Sequence, residues 1–575
     1  MTTYMNVSNA PEPWRVSYAH PCKWEMDFAP LALTDMFAAS AAAHPDSALV
    51  DFLGRKFSYR ALFAQAKSFA AGLQAMGIGK GDRVGLYLPN VPIYVSAYYG
   101  AMLAGATVVN FSPLYTAQEL EAQVADSGTR LLVTLDVPAL LPTAILVLRA
   151  SSLERLIVGR LGEMLPFAKG ALVRLFGMGQ TAPVPKAADI LQWGEVLRAN
   201  APQPVAIDPL HDLALLQYTG GTTGTPKGAM LSHQNLSANA RQLRAVDIHC
   251  DERDVVLGAL PLFHVFANSC ILNRTVANGG CIAMLPRFDA AQVLQTITRV
   301  QPTSMFAVPT MLQALLDSPT IGKADFTSLR GCIAGGAPLA QPLKARFEAV
   351  TGVKVLEGYG LTESSGVVTS NPLHAGDRAA TIGQPLPGTR LLLLDKEDPE
   401  KDTPAGEPGE LAVIGPQIMQ GYWNRPEAAA SAFAVRKGAG GDEHWLRTGD
   451  IAVIDDDGFL RIVDRSKDMI AVGGFKVFPS QIEAVMIEHP AVKEVLVIGV
   501  ADDYRGENPR AFVTLSGDAD ADELKVWLNQ RVGKHERVDA VVIRDSLPKT
   551  MIGKLDRKAL REQISATQEP STSSG

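Results

Sequence analysis

Short apolar, β-branched runs alternate with helix-length stretches along most of this chain, and that alternation constrains its fold more than any other feature. Arg83-Val-Gly-Leu-Tyr-Leu88, Arg130-Leu-Leu-Val-Thr-Leu135 and Ser304-Met-Phe-Ala-Val308 are examples. The pattern predicts α/β layers with largely parallel sheets. Between Pro385 and Ile454 it changes. Gly, Pro and short strands dominate there, as in Arg390-Leu-Leu-Leu-Leu394 and Glu410-Leu-Ala-Val-Ile414, and a small β-rich region is expected. From about Lys467 a smaller αβ unit begins, which puts a boundary near Asp464–Lys467. At 575 residues the chain is too long for one ordinary core. The expected organisation is a large N-terminal unit over 1–466, made of layered α/β subdomains plus the β-rich one. A small, mobile α+β C-terminal cap follows over 467–565. The polar tail 566–575 (ATQEPSTSSG) carries no apolar period and is expected to be disordered.

Composition narrows the function classes. Hydrophobic residues make up 47% and charged residues 20%, with a formal net charge of -7. A nucleic-acid binder would show a basic balance or stripe, and neither occurs. The five cysteines are odd in number and include no CxxC spacing, so reduced thiols and no structural zinc are expected. The N-terminus lacks the pattern of a secretory signal and Ser-Ser-Gly is not a peroxisomal tripeptide, so a cytoplasmic location is expected. The run Val137–Leu148 is too short to span a bilayer and carries Pro142. Within 151–186, the stretch Met164–Met178 is apolar with Lys169 and Arg174. It reads either as a packed surface helix, weakened by Pro166, Gly170 and Gly177, or as a peripheral contact with the inner membrane surface.

The strongest chemical signal is Tyr218-Thr-Gly-Gly-Thr-Thr-Gly-Thr-Pro-Lys-Gly228, which follows the apolar run Leu213–Leu216. Gly220, Gly221 and Gly224 carry no side chains, so backbone N–H groups can approach an anion. Thr219, Thr222, Thr223 and Thr225 add hydroxyl donors, and Lys227 adds a point charge suited to phosphate. The loop is not a Walker A motif, because Lys227 lies between Pro226 and Gly228.

Further motifs follow in order: Pro261-Leu-Phe-His264, Gly335-Gly336-Ala337, Glu357-Gly-Tyr-Gly-Leu-Thr-Glu-Ser364, Trp445-Leu-Arg-Thr-Gly-Asp450, Asp464-Arg465 and Pro548-Lys-Thr-Met-Ile-Gly-Lys554. Together with the phosphate loop, this series resembles the adenylate-forming superfamily of acyl-CoA synthetases, peptide-synthetase adenylation domains and luciferases. The resemblance runs from about Leu33 to Leu560. It implies activation of a carboxylic acid by ATP as an acyl-adenylate, with Mg²⁺, followed by transfer to coenzyme A.

The resemblance also implies residue roles. Attack of a carboxylate on the α-phosphate brings two anions together, so fixed positive charge and aimed dipoles must offset the repulsion. The catalytic candidates are Lys554, Thr222, Lys227 and His264. Glu363 would hold Mg²⁺ and Thr362 would bond a phosphate oxygen. In the turn Gly358-Tyr359-Gly360, Tyr359 would stack on adenine, beside Gly335, Gly336 and Ala337. Asp450 would accept the ribose hydroxyls, with Arg465 reaching ribose or phosphate. For the second half-reaction the cap would turn about Lys467. Gly473 and Gly474 would then leave room for the pantetheine arm, a role weighed evenly against a plain turn.

No acidic residue lies between Pro261 and Ile271, which disfavours an α-amino acid. Val109-Asn-Phe-Ser-Pro-Leu-Tyr-Thr116 and the segment around His264 look most like those of bacterial medium- and long-chain fatty-acid ligases. A fatty acid is therefore the expected partner, with a homodimer as a further candidate. Dicarboxylate or aryl acids are the alternative substrates. An acyl-AMP ligase loading a carrier protein is the alternative reaction, and a non-catalytic acyl- or nucleotide-binding protein is a remote one. One departure stands out. Relatives often carry Tyr-Lys-Xaa-Pro before the last motif, whereas this chain has Lys534-His-Glu-Arg-Val-Asp-Ala540. That bears on how the cap packs or meets coenzyme A, not on adenylation.

Overall fold

The computed structural model describes residues 12–166, 181–219, 226–374, 378, 380–395, 398–404, 406–438, 441–473, 475–502, 505–550 and 553–568. Two large sheets carry the N-terminal unit. In the seven-stranded sheet the order is Ile190–Gln192, Arg155–Gly159, Leu131–Leu135, Arg83–Leu86, Thr107–Asn110, Leu213–Thr219 and Lys227–Ser232. All neighbours are parallel except the last pair. The nine-stranded sheet runs Gln384–Pro385, Thr369–Ser370, Val355–Tyr359, Gly331–Ala334, Ser304–Ala307, Val255–Gly258, Cys281–Met284, Ala48–Phe52 and Arg55–Ser58. Its interior is parallel and its edges are antiparallel.

Leu131–Leu135 and Thr107–Asn110 are buried at every position, as strands covered on both faces must be. The helix Pro92–Leu103 is buried on almost every side because it lies between the two sheets. The Tyr94 hydroxyl donates to Asn110 at 2.8 Å, while Tyr98 and Tyr99 reach Asn268 at 3.0 Å and Asn273 at 2.8 Å from the other sheet's layer. Buried hydroxyls need such partners, and here they fix the register of the two layers.

The β-rich region is a five-stranded antiparallel sheet built from Arg390–Leu394, Gly409–Ile414, Phe433–Gly438, Gly441–Ile454 and Leu460–Arg465. After the short 3-10 turn Ser466–Asp468 the chain enters a different five-stranded sheet, of Ile470–Val472, Phe475–Val477, Val492–Asp502, Gly506–Leu515 and Val541–Ile543. This unit has its own apolar cluster, including Ile482, Met486, Val497 and Leu528.

The last helix runs Arg557–Gln568 and so includes residues 566–568. Leu560 and Ile564, one turn apart, pack with Leu496, Ile498 and Phe512, and that apolar seam carries the helix onward. Residues 569–575, and 167–180 of the suggested membrane-contact segment, lie outside the described residues. No described helix is long and apolar enough to cross a membrane. All five cysteines are free, with Cys270 and Cys332 buried.

Candidate active site

Parallel α/β sheets present ligands with the loops at the carboxyl ends of their strands. Four neighbouring strands of the nine-stranded sheet end at this edge, three of them in motif residues. Val255–Gly258 leads to His264, Ser304–Ala307 to Thr310, Gly331–Ala334 to Gly335–Ala337, and Val355–Tyr359 to Thr362 and Glu363. The glycines are closely packed, and at Gly360 no side chain fits. A Cβ on Gly360 would sit 2.3 Å from the Gly366 carbonyl oxygen. One on Gly335 would sit 3.2 Å from both the Gly358 carbonyl and the Phe266 ring, and one on Gly358 would sit 3.3 Å from Ile333.

The cap delivers Lys554 to this edge. A Cβ built on Gly336, whose φ is +81°, would lie 2.8 Å from Lys554 Cε and 3.1 Å from Nζ. The turn that carries it is closed by Thr550 N donating to the Lys554 carbonyl at 2.6 Å and by Lys554 N donating to Thr550 Oγ1 at 3.1 Å. Gly553, also at positive φ, faces Thr310 of the large unit. Burial lowers the Lys554 ammonium to about 8, and the Arg465 charge pushes the same way against the pull of Asp450. Lys554, Asp450 and Arg465 thus sense one another directly.

His264 lies within the same field. Burial, with the Lys554 charge second, lowers its pKa to about 3, so the imidazole is neutral. Nδ1 accepts from Phe266 N at 3.3 Å, capping the short helix Val265–Ala267. That contact leaves the proton on Nε2, which makes His264 a hydrogen-bond donor.

The expected ribose acceptor Asp450 is 5% exposed. Its carboxylate accepts from the Tyr359 hydroxyl and pairs with Arg465 Nε at 3.3 Å across the strands Gly441–Ile454 and Leu460–Arg465. Burial raises its pKa, while Arg465 and Tyr359 oppose that shift. Burial, then the Asp450 charge, drives the Tyr359 phenol well above its ordinary value, so it stays protonated as the donor.

A third group forms around the phosphate loop. Gly220, Gly221, Thr222, Thr223 and Gly224 lie outside the described residues, but both flanks are placed. Thr219 pairs with Lys227 in the antiparallel hairpin. The segment 419–423 docks on the outer strand of that hairpin: Met230 N donates to Gly421 O, and Trp423 N to Gly228 O at 2.8 Å. Tyr422 thereby joins two motif residues. Its hydroxyl donates to Glu363 Oε1 at 2.7 Å, and Lys227 Nζ lies 5.2 Å from its ring centroid. Asp126, at the end of the helix Ala117–Ser127, accepts from Tyr218 at 2.6 Å and from Arg425 at 2.6 Å. It ties the strand before the loop to the docked segment. Sequence reasoning missed Tyr422, Asp126 and Arg425; the aromatic pair after Gly421 was the one local signal.

Among the described residues no group of three or more metal-ligating side chains occurs. Glu363 is a single carboxylate with one oxygen held by Tyr422, in the 3-10 turn Thr362–Ser364. That donor set suits magnesium, which is bound through one or two carboxylates plus phosphate oxygens and water. Gly473 stands apart. It forms the turn between Ile470–Val472 and Phe475–Val477 at φ +55°, and a Cβ there would touch nothing within 4 Å. Gly474 lies outside the described residues, and Lys467 is exposed in the turn between the two sheets.

This fold and this edge, with a lysine brought in by a C-terminal cap, are those of an adenylating enzyme. The chain belongs to the AMP-binding enzyme family: the family model matches residues 37–423, and the model of the family's C-terminal domain matches 481–554. It is 37% identical over 562 residues to a long-chain-fatty-acid–CoA ligase of Bacillus subtilis strain 168, covering 96% of this chain and 98% of that protein. Among solved structures it resembles the anthranilate CoA ligase AuaEII in complex with anthranoyl-AMP, with a TM-score of 0.81 at 25% identity over 94% of this chain and 99% of the other. It also resembles ATP-bound MatB from Rhodopseudomonas palustris, with a TM-score of 0.77 at 30% identity over 93% and 100% of the two chains.

Proposed function

We propose that this protein ligates a fatty acid to coenzyme A through an acyl-adenylate. The observation that carries the reading is the cap lysine Lys554, lodged against Gly336 within the field of His264, Asp450 and Arg465. In the first step a carboxylate oxygen of the acid attacks the α-phosphorus of ATP. The bond to the bridging oxygen breaks, and pyrophosphate leaves. Lys554 offsets the charge at the reacting phosphorus, Lys227 and the adjacent loop hold the outer phosphates, and neutral His264 donates from Nε2 toward the acyl end. Such preorganised donors act strongly where water is excluded. Asp450 accepts from the ribose. Glu363 would hold a magnesium ion, which would supply positive charge to offset that of the phosphates.

In the second step the pantetheine sulfur attacks the acyl carbonyl carbon and the bond to the AMP oxygen breaks, the thiol proton passing to solvent. Lys554 would crowd that approach, so the cap turns about Lys467 and brings the Gly473–Gly474 turn to the acyl end. The open surroundings of Gly473 in the present arrangement accord with that role. The fatty acid is favoured by the ligase of B. subtilis, at 37% identity along almost the whole chain. An aryl acid is the second reading, favoured by the likeness to the anthranilate ligase. A cytoplasmic enzyme that meets the inner membrane surface peripherally fits an amphiphilic substrate.

The test is AMP formation from a panel of straight-chain acids from short to long, plus benzoate and anthranilate, each with and without coenzyme A. Sustained AMP release only with coenzyme A, strongest for the longer chains, is expected. Selective turnover of the aryl acids would overturn the substrate. Accumulation of acyl-AMP that coenzyme A does not discharge would overturn the ligase in favour of carrier loading.

A further inference from the structure

The cap helix Pro479–Met486 begins without a capping side chain of its own, since its N-cap, Phe478, supplies none. The acceptor comes from the other side of the hinge. Asp464, in the last strand of the large unit, takes the Ser480 backbone N–H on Oδ2 at 2.9 Å and the Arg465 N–H on Oδ1 at 2.6 Å. The Ser480 hydroxyl lies 2.8 Å from Asp464 Oδ2 and 2.7 Å from the Val463 carbonyl, and it donates to one of them at a time. Asp464 is 4% exposed. A carboxylate at a helix N-terminus, bonded to free N–H groups, is a favourable and charge-assisted arrangement.

The chain order gives these bonds their meaning. Val463 and Asp464 precede Lys467, and Ser480 follows it. From Asp468 onward the cap is tied to itself. Asp468 pairs with Arg557 at 3.3 Å and Arg561 at 3.1 Å, and Arg557 also holds Glu483 of the same helix at 2.6 Å. The cap therefore moves as one body from Asp468, and a large turn at Lys467 must part Ser480 from Asp464. A further ion pair between the units is more exposed. Lys493 meets Asp317 at 3.1 Å with both side chains about two-fifths exposed, a setting in which ion pairs contribute little.

We propose that Ser480 and Asp464 form a clamp across the hinge that holds the cap where Lys554 reaches the phosphates, which makes Ser480 a positioning residue for adenylation. This rests on the two-step reading above. Asp464 neighbours Arg465, which pairs with Asp450, so the clamp also steadies the ribose-side pair. Releasing it is part of the switch to the second step.

Three proteins test the clamp: wild type, Ser480→Ala and Ser480→Thr, the last keeping the hydroxyl. Two half-reactions are measured, pyrophosphate release without coenzyme A and coenzyme-A-dependent consumption of supplied acyl-AMP. Trypsin cleavage at Arg465 and Lys467 under native conditions gives a readout that needs no activity. Ser480→Ala is expected to lower the ratio of clamped to released cap about tenfold, the factor that one hydrogen bond to a charged group is worth. Its thiolysis should not slow, its pyrophosphate release should fall and its hinge should be cut faster, by two factors whose product is about ten, since cleavage follows the released population. Ser480→Thr should restore all three. Equal slowing of both half-reactions in Ser480→Ala, or cleavage at the wild-type rate, would overturn the clamp. A wild type that adenylates no acid would sink the functional reading instead, and the cleavage comparison would then decide the clamp alone.

Discussion

Raising the pH should switch the first half-reaction off within a window set by Lys554. The ordinary lysine value is about 10.4, and burial among the site residues brings Lys554 to about 8. The ammonium is the working form, so activity is full below the lowered value and lost as pH rises through it. One unit above the midpoint about a tenth of the sites stay protonated, so kcat/KM for ATP should fall about tenfold between pH 7 and pH 9. An unshifted lysine would lose only about 4% over the same range. The phosphates of bound ATP favour the charged form, so the limb in kcat should lie higher than the limb in kcat/KM. Pyrophosphate release under single-turnover conditions reports the step. Lys554→Arg, whose guanidinium stays charged beyond pH 12, should flatten the limb even at reduced rate. A limb unchanged in Lys554→Arg, or one that begins only above pH 10, would refute the assignment.

Two further outcomes follow from the geometry. Tyr422→Phe removes the hydroxyl that orients Glu363, so the Mg²⁺ concentration for half-maximal turnover should rise about tenfold, as loss of a partner behind a metal ligand does; a magnesium titration identical to wild type would remove Tyr422 from the site. Gly360→Ala forces a methyl to within 2.3 Å of the Gly366 carbonyl, so it should cost about 1–3 kcal/mol of stability and raise KM for ATP, and a melting curve and KM both at wild-type values would contradict that close approach.

The parts of the site legible in the sequence are those built by contiguous residues. The strands Val355–Tyr359 and Leu213–Thr219 show as apolar runs, and the sequence after them carries the Gly, Thr and charged residues assigned to phosphate, so pattern and chemistry sit side by side. Asp450 and Arg465 could be named because each lies in its own local motif, although their pairing depends on strand register. Tyr422 and Asp126 were not legible. Tyr422 meets Glu363 from 59 positions away, through a segment that docks between the two sheets, and Asp126 is one acid among several on a helix that reads as ordinary surface. The extension of the last helix through Gln568 was hidden for a similar reason. Its apolar spacing is sparse, and it is the fit of Leu560 and Ile564 against the cap sheet that carries the helix on.

Asp450 already keeps company within the protein: a phenol and a guanidinium occupy it. A ribose bound there, as proposed, would trade places with existing partners instead of rescuing a stranded charge. Such an exchange yields little net affinity, because a large gain arises only where a desolvated group had been left wanting. For a catalyst that must shed AMP on every round, this modest grip is an asset, since product departs without leaving an orphaned carboxylate behind.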